Sequence, residues 1–279
     1  MPVRVLQVSD LHTGTVEEPE VEEGLRRLVA ETGPELVVAS GDLTHRNESE
    51  EHARAARFLR SLGPPLLVIP GNHDIPKFPP RRFTATFDRF LREWPETEPV
   101  YRSARIVACG LNSVRPWKQQ GGALRRAQIA RVAEVFAAAP AGALRIVALH
   151  HHLMGAPWRT AKRTIANRSR VLGGLVDAGA ELIVSGHVHQ SSVGERREFE
   201  VLRAGEPTAH ATAVVIAPGL GQPRPKRRGE ARGLHLYEAD GGSLRVLTYA
   251  WAPEPEQSRW AQIADRRFPR GREPLARVG

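Results

Sequence analysis

Five short apolar runs of this sequence each end in a group of Asp, Asn or His residues. The groups are SDLH (9–12), GDLTHRN (41–47), GNHD (71–74), HHH (150–152) and GHVH (186–189). The carboxyl ends of the strands in an α/β sheet meet at one edge, which is where such folds bind ligands. Asp, His and Asn together suit Mn, Fe, Zn or Co, whereas Mg or Ca would draw more oxygen ligands. The pattern therefore predicts a metal centre at one edge of a sheet.

Two of these groups contain pairs of residues that are spaced to reach a common target. Asp10 and His12 are two positions apart, as are His187 and His189. Residues two apart in an extended chain point to the same side. A glycine precedes Asp42 and permits a tight turn there. Because a carboxylate has two oxygens, we expect Asp42 at the centre of the set to bridge two cations.

Each of these features has a purely structural explanation when it stands alone. Asp or Asn next to Gly usually marks a turn, and a single His-x-His is weak evidence for a pair of ligands. We interpret the four other histidines as surface or core residues: His45, His52, His210 and His235. The order D-x-H, GD, GNHD, H and GHxH is much more specific than any one member, and it favours the metal centre.

The run LHHHL (149–153) raises a question of register. If the preceding strand continued through it, the side chains of His150 and His152 would lie on one side and that of His151 on the other. The three histidines would then not be equivalent.

The apolar runs alternate with amphipathic stretches, which predicts an α/β domain. We expect strands at 3–8, 35–40, 65–70, 105–111, 145–150, 181–186 and 212–218, followed by a hairpin over 233–251. Helical spacing of apolar residues occurs over 21–29, 55–62 and 129–136. Runs that are apolar on both faces favour a sheet that is covered on both sides. We expect one domain over 1–252 and a peripheral or disordered tail over 253–279.

Composition limits the partners and the location of the protein. The net charge of +9 favours an anionic partner such as a small phosphate ester; nucleic acid is possible but not favoured, because the basic residues are scattered. Cys109 is the only cysteine, which excludes an internal disulfide, and we expect it to be buried. No apolar run reaches the roughly 18 residues of a membrane helix, and the first residues lack the layout of a signal peptide. We therefore expect a cytoplasmic protein with no membrane partner.

The five motif blocks, in this order over about residues 1–250, resemble those of the calcineurin-like metallophosphoesterases. SDLH, GDLT, VIPGNHD, LHHH and SGHVHQ are most similar to the blocks of bacterial class III cyclic-nucleotide phosphodiesterases. The resemblance implies a four-layer αββα sandwich with mixed β-sheets. It also implies two divalent metal ions, with Mn or Fe favoured and Zn or Co possible. One ion would be held by Asp10, His12, Asp42 and His189. The other would be held by Asp42, Asn72, His150 and His187.

The resemblance implies further roles for residues around these ligands. His73 would approach the substrate as an electrostatic or proton-transfer group, and Asp74 would orient it. His151 and His152 would lie beside the metals or the substrate. The sequence departs from the family at Leu153, where a proline often stands. The basic segment 154–170 is either a lid over the substrate or a solvated loop, and the candidate substrate contacts are His151, Trp158 and Arg159.

The resemblance implies hydrolysis of a phosphodiester by a hydroxide that bridges the two metals, with a cyclic nucleotide such as 3′,5′-cAMP as the favoured substrate. The sequence has no G-x-S-x-G, H-E-x-x-H or G-x-x-x-x-G-K-[ST] motif, in agreement with a reaction that needs no side-chain nucleophile. A metallo-nuclease acting on single-stranded nucleic acid is the alternative, which the positive charge mildly favours. A non-catalytic scaffold is disfavoured because none of the expected ligands is missing.

Overall fold

The computed structural model describes residues 1–15, 19–118, 120–155, 163–198, 211–221, 230–253 and 259–270. The first strands within these ranges are β1 (Val3–Val8), β2 (Leu36–Ala39), β3 (Leu66–Val68), β4 (Val100–Arg102), β5 (Ile106–Leu111) and β6 (Leu144–Leu149). They are followed by β7 (Leu182–Ser185), β8 (Ser192–Glu195), β9 (Ala213–Ile216), β10 (Gly233–Ala239), β11 (Ser243–Ala252) and β12 (Arg259–Pro269). The helices are α1 (Pro19–Thr32), α2 (Ser49–Arg60), α3 (Arg81–Thr84), α4 (Asp88–Glu93), α5 (Arg126–Ala137) and α6 (Arg168–Asp177), with a short 3-10 helix over Arg196–Glu198.

The strands form two mixed sheets of six strands each. The first has the order β12-β11-β10-β1-β2-β3, in which β1, β2 and β3 are parallel and the other neighbours are antiparallel. The second has the order β4-β5-β6-β7-β9-β8, in which β5, β6, β7 and β9 are parallel and the two edge strands are antiparallel. Each sheet therefore contains a group of neighbouring parallel strands that all end at the same edge.

The alternation of side chains along the central strands divides the core into layers. In β1, Val3 and Val5 face the second sheet, whereas Leu6 and Val8 face helices α1 and α2. In β6 the apolar residues divide in the same way between the other sheet and helices α5 and α6. The described residues thus form four layers, helices–sheet–sheet–helices, and the predicted αββα sandwich with mixed sheets is confirmed.

The predicted strands and the hairpin all occur, with bounds that differ by one or two residues. The segment predicted as a peripheral or disordered tail contains β12, so the prediction of disorder is wrong for 259–269. This strand pairs with β11 along its whole length and buries Trp260 and Phe268. Cys109 is buried, as expected. Among the described helices, none combines the length and the apolar character needed to cross a membrane.

Candidate metal centre

All seven predicted metal ligands meet where strands of both sheets end. Asp10 and His12 follow β1, Asp42 follows β2 and Asn72 follows β3 in the first sheet. From the second sheet, β6 supplies His150 and β7 supplies the last two, His187 and His189. Each ligand is buried, with an exposed fraction of 9% or less. The parallel strands of the two sheets thus bring the polar residues at their ends to one place.

Asp10, His12 and His189 form the first of two donor groups. The Nε2 atoms of His12 and His189 lie 3.0 Å apart, and Nε2 of His189 lies 3.3 Å from Oδ1 of Asp10. The donor atoms of these three residues all lie within 4.8 Å of one another. This is the set of side chains, apart from Asp42, that the family resemblance gives to one metal.

Asp42, His150 and His187 form the second donor group, again with donor atoms within 4.8 Å of one another. Nε2 of His150 lies 3.3 Å from Oδ1 of Asp42 and 3.2 Å from Oδ1 of Asn72. Nδ1 of His150 donates to the carbonyl oxygen of Ser40 at 2.9 Å, which turns Nε2 toward the other donors. The second predicted set of ligands is therefore also assembled.

Asp42 lies between the two groups and contacts both. Its Oδ1 faces His150, and its Oδ2 lies 3.9 Å from Nε2 of His12 in the first group. The backbone N–H of His73 donates to Oδ1 at 2.7 Å and fixes the rotation of the carboxylate. The Asp42 carboxylate therefore lies between the two donor groups, and its bridging of two cations stays a prediction.

The buried imidazoles and carboxylates of the cluster shift one another's pKa values. Burial alone would raise the pKa of Asp42, but the attraction of His150 outweighs it and holds this pKa well below its ordinary range. Burial would lower the pKa of His150, but the Asp42 carboxylate raises it to about 9. Burial lowers the pKa of His12 well below its ordinary value, so that its imidazole is neutral at pH 7. Within the described residues, no Lys or Arg forms an ion pair with either cluster carboxylate.

These observations fit two divalent ions. The two buried carboxylates have no Lys or Arg partner among the described residues and face only imidazoles, and buried charges are normally paired or coordinated to metals. Neutral imidazoles and carboxylates are the donor types that borderline divalent metals prefer. The two groups on either side of Asp42 provide one place for each ion.

The backbone at these ligands adopts an uncommon conformation. Seven non-glycine residues of the described chain have positive φ, and five of them are predicted ligands with φ from 47° to 76°: Asp10, His12, Asp42, His187 and His189. Positive φ is uncommon for non-glycine residues, although Asn, Asp and His tolerate it best. Such strain concentrates at functional sites, where the surrounding structure over-determines it.

Close backbone approach explains two of the glycines in the motifs. A Cβ on Gly71 would lie 2.2 Å from the backbone nitrogen of Asp42, and one on Gly186 would lie 1.9 Å from Oγ of Ser9. Any larger residue would push two ligand-bearing loops apart. The backbone N–H of His187 donates to both carboxylate oxygens of Asp10, at 3.2 Å and 3.0 Å, and joins the two sheets at this point.

Asp74 does not contact the His73 imidazole, contrary to the orienting role predicted for it. Its buried carboxylate accepts four hydrogen bonds: from the N–H groups of Leu43 (3.1 Å), Thr44 (2.9 Å) and Gly71 (2.7 Å), and from the Thr44 hydroxyl (3.0 Å). Asp74 therefore joins the loop after β2 to the loop after β3, and it affects His73 only through the backbone.

His73 is held by a different group. Its Nδ1 donates to the carbonyl oxygen of His45 at 2.8 Å, and its ring lies 4.8 Å from that of His12. Since a carbonyl only accepts, Nδ1 carries the proton and Nε2 remains available to a substrate. His73 is half-buried at the edge of the cluster, where the predicted role in substrate contact requires it to be.

His45 lies closer to the centre than the sequence indicated. Its ring lies 5.6 Å from His12 and 5.8 Å from His73, and the three form a third group of possible metal donors. The available signal was its place three residues after Asp42 in the same loop. His52 and His235 are core histidines, as predicted: Nε2 of His52 bonds to Asn47 and His235 is fully buried. His210 lies outside the described residues.

The prediction of strict alternation in the histidine run is wrong. The rings of His150, His151 and His152 lie 5.1, 4.8 and 5.8 Å from the ring of His187, so all three surround one residue. The reason is that β6 ends at Leu149, before the run begins. His151 is buried and its Nδ1 bonds to Oγ of Ser113 at 2.8 Å. The two other candidate substrate contacts, Trp158 and Arg159, lie outside the described residues, as does 156–162 of the basic segment.

Comparison with known proteins identifies the family. The family model for calcineurin-like phosphoesterases matches residues 3–191, about two thirds of the chain. No curated protein matches the sequence. The fold is similar to that of purple acid phosphatase PPD1 from yellow lupin (Lupinus luteus) seeds, with a TM-score of 0.68 and 12% identity, covering 98% of this chain and 54% of that one. This chain therefore spans about half the length of the lupin protein.

Two other solved structures resemble the fold of this chain to a comparable degree. A dimetal phosphatase from Danio rerio has a TM-score of 0.61 and 12% identity, covering 97% of this chain and 100% of that one. GAP50 of Plasmodium has a TM-score of 0.62 and 12% identity, covering 98% of this chain and 90% of that one. At such low identity these similarities establish the fold alone, and the family is established by the family model. The chain belongs to the calcineurin-like phosphoesterases.

Proposed function

We propose that this protein is a phosphodiesterase with two divalent metal ions. Asp10, His12, Asp42 and His189 would hold one ion. Asp42, Asn72, His150 and His187 would hold the other. The observation that carries the proposal is the position of the Asp42 carboxylate, whose two oxygens face the two donor groups separately. When bound, the ions would supply Lewis-acid polarisation of the phosphate and a water of lowered pKa.

The side chains of this protein then have distinct tasks. The fixed carboxylate of Asp42 and the strained loops keep the donors in place before the ions arrive. His73, held at Nδ1 by the His45 carbonyl, presents Nε2 to the substrate, and in its doubly protonated form it can donate a hydrogen bond or a proton from Nε2 to a phosphate oxygen. His151 and His152 pack against the ring of His187 and help to hold it in place. The reaction needs no nucleophilic side chain.

The finer assignments are part of the same proposal. Mn or Fe is favoured, with Zn or Co as the next choice, because the donor set mixes imidazole with carboxylate and amide oxygens. A small phosphodiester is the proposed substrate, and 3′,5′-cAMP is the first candidate because of the similarity of the motif blocks to class III phosphodiesterases. We also propose a cytoplasmic location and no membrane partner.

Metal analysis combined with one chromogenic diester tests the proposal. Purified protein loaded with Mn should bind about two ions per chain and hydrolyse bis(p-nitrophenyl) phosphate. Asp42→Asn should lose both properties, because this carboxylate serves both donor groups. The matched control is Asp240→Asn, which changes an exposed carboxylate in the β10–β11 turn and should behave as wild type. A protein that binds two ions and remains inert would contradict the proposal.

The histidine run provides a graded version of the same test. His150→Ala should lose metal and activity, because Nε2 of His150 lies 3.3 Å from Asp42 and 3.2 Å from Asn72. His151→Ala and His152→Ala should lose much less. If His151→Ala were the more damaging, the assignment of the ligand within the run would be wrong by one residue.

A nuclease is the second candidate, and the net charge of +9 favours it. Cleavage of single-stranded DNA at near-physiological salt, faster than cleavage of small diesters, would support this candidate over the first.

A further inference from the structure

A cavity of about 830 Å³ opens beside the metal centre, on the side of Asn72 and His73. Its walls come from 45–47 after β2, from 75–82 after β3, from Arg89 in α4 and from Gln120. Cavities of this size hold small organic ligands. Because Asn72 and His73 belong to its wall, a phosphate at the metal centre would leave the remainder of a substrate in this cavity.

The cavity wall is strongly cationic. Five of its residues are Arg or Lys, and none of the described residues that line it is Asp or Glu: Arg46, Lys77, Arg81, Arg82 and Arg89. None of the five forms an ion pair with a carboxylate among the described residues, although many other arginines of the chain do. The described lining of the cavity therefore carries positive charge and no carboxylate of its own.

Two of these cations are fixed in place by neutral groups. The guanidinium of Arg82, a residue only 6% exposed, donates to the carbonyl oxygens of Pro116 (2.6 Å), Pro76 (2.8 Å) and Lys118 (2.8 Å). Arg89 donates to the carbonyl oxygen of Asn47. Carbonyl oxygens satisfy hydrogen bonds but do not cancel a charge. A buried cation without an anion is costly, so a site that keeps one is suited to an anionic ligand.

The other three cations and one aromatic ring lie at the mouth. Arg46, Lys77 and Arg81 are exposed and can move to meet a ligand. Phe78 is 66% exposed, and Nζ of Lys77 lies 5.2 Å from the centre of its ring. An exposed ring beside a cationic wall can stack on a nucleobase while the wall binds phosphate.

We propose that the substrate carries a second phosphate group besides the diester that is cleaved, and that this second phosphate binds in the cationic cavity. The organic part of the substrate would lie against Phe78. This inference rests on the proposed phosphodiesterase function, and within it a diester with a second phosphate replaces 3′,5′-cAMP as the first candidate substrate. A plain 3′,5′-cyclic mononucleotide has one phosphate, which the metal centre would take, and it would leave the cations of the cavity without a partner.

Three dinucleotides that differ by one phosphate test the proposal. They are TpT, which has only the diester, pTpT, which adds a 5′-phosphate, and TpTp, which adds a 3′-phosphate. We expect the Mn-loaded enzyme to cleave the diester of one of the two phosphorylated forms with kcat/KM roughly tenfold above that of TpT, because three exposed charge pairs each contribute modestly. The bis(p-nitrophenyl) phosphate assay on the same preparation reports the phosphodiesterase activity separately.

Two triple variants show whether the cavity causes this preference. In Arg46→Gln/Lys77→Gln/Arg81→Gln, the ratio of the kcat/KM values for the phosphorylated and plain dinucleotides should fall to within about threefold of one. The matched control is Arg27→Gln/Arg57→Gln/Arg126→Gln, which removes the same charge from exposed positions of α1, α2 and α5 and should keep the wild-type ratio.

Several results would overturn the inference. Equal kcat/KM for the three dinucleotides, no cleavage of any of them, or an equal loss of preference in both triple variants would each do so. A kcat/KM for 3′,5′-cAMP above that of both phosphorylated dinucleotides would show that the centre prefers singly charged diesters. A kcat/KM for a thymidine oligonucleotide of about 20 residues above that of both would show that the cavity binds a nucleic-acid strand. If bis(p-nitrophenyl) phosphate is cleaved in these cases, the proposed function stands and only the second phosphate is refuted. If it is not cleaved, the proposed function itself fails.

Discussion

Asp74→Asn separates the structural role of this carboxylate from a role in proton transfer. In the folded protein each carboxylate oxygen accepts two hydrogen bonds: Oδ2 from Leu43 and Gly71, and Oδ1 from the N–H and hydroxyl of Thr44. An asparagine has one oxygen and one NH2 group to offer. The least costly orientation places the NH2 group toward Thr44, whose hydroxyl can accept, so that one buried backbone N–H loses its partner.

The size of the effect follows from these contacts. An unsatisfied buried N–H costs about 1–3 kcal/mol, and the two remaining hydrogen bonds become weaker once the charge is gone. Burial raises the pKa of Asp74, so removing its charge recovers part of a desolvation cost. We therefore expect the free energy of unfolding to fall by about 2 kcal/mol for Asp74→Asn. For Asp74→Ala, which leaves three backbone N–H groups without an acceptor, we expect a fall of about 4 kcal/mol.

Urea unfolding of the metal-free protein, followed by circular dichroism, measures this difference. Thermal unfolding should show a Tm lower by about 4–8 °C for the Asn variant, given about 2–4 °C per kcal/mol in a chain of this size. The control is again Asp240→Asn, whose carboxylate accepts a similar set of hydrogen bonds from Gly242 and Ser243 but is exposed. Asp74→Asn unfolding at the same urea concentration as wild type would refute the reasoning, because the four hydrogen bonds would then have no net value.

Three further predictions concern other positions. Gly71→Ala should lower the Tm and weaken Mn binding, because the new Cβ would lie 2.2 Å from the backbone nitrogen of Asp42. The control is Gly173→Ala in α6, whose new Cβ would have nothing within 4 Å and should raise the free energy of unfolding by about 0.5–1 kcal/mol. Equal changes of Tm in the two variants would contradict this prediction. Burial lowers the pKa of His235 to about 4 from 6.5, so the unfolded chain takes up its proton first as the pH falls. The free energy of unfolding should then fall from about pH 6.5 downward, by about 2–3 kcal/mol at pH 4.5. Urea titrations at several pH values should show a flatter pH dependence of this free energy for His235→Gln than for wild type. Identical pH dependences of the two proteins would contradict the prediction. Burial raises the pKa of the Cys109 thiol to about 11, so a thiol reagent at pH 8 should label the unfolded chain but not the folded one, and rapid labelling of the native protein would be the contrary result.

The central strands and the ligand set could be predicted because both depend on local patterns. Strands that are apolar on both faces are visible as unbroken runs, and β1, β5 and β6 fall within a residue of their predicted bounds. The ligands follow these runs directly, so the parallel order of the strands brings them together. Elements with weaker patterns were missed. β12 buries only Trp260 and Phe268, and its other residues, including Ile263, are exposed or half-exposed, while α6 contains two adjacent glycines.

The parts of the site that could not be predicted depend on backbone groups. The partners of Asp74 are mainly amide N–H groups, which every residue but proline possesses, so the sequence does not distinguish them. The same holds for the His45 carbonyl that fixes His73. The side chains of the histidine run do not alternate as in a strand, because β6 ends at Leu149. That end is set by the pairing of β6 with β5 and β7 and not by the histidines themselves. The cationic cavity joins residues from 45 to 120, which no local pattern connects.

The positive φ angles of the ligands have a consequence for how this centre can be lost. Alanine in a left-handed conformation is disfavoured by about 1–2 kcal/mol, whereas glycine adopts it freely and asparagine tolerates it. At Asp10, His12, Asp42, His187 and His189 an alanine therefore both removes a donor and keeps the backbone under strain. Glycine or asparagine removes the donor but relaxes or preserves the loop. Substitution by glycine or asparagine is therefore the change that abolishes the chemistry at the smallest cost in stability. A relative whose ligands have been replaced by glycine or asparagine can keep the folded sandwich as a stable surface for some other use.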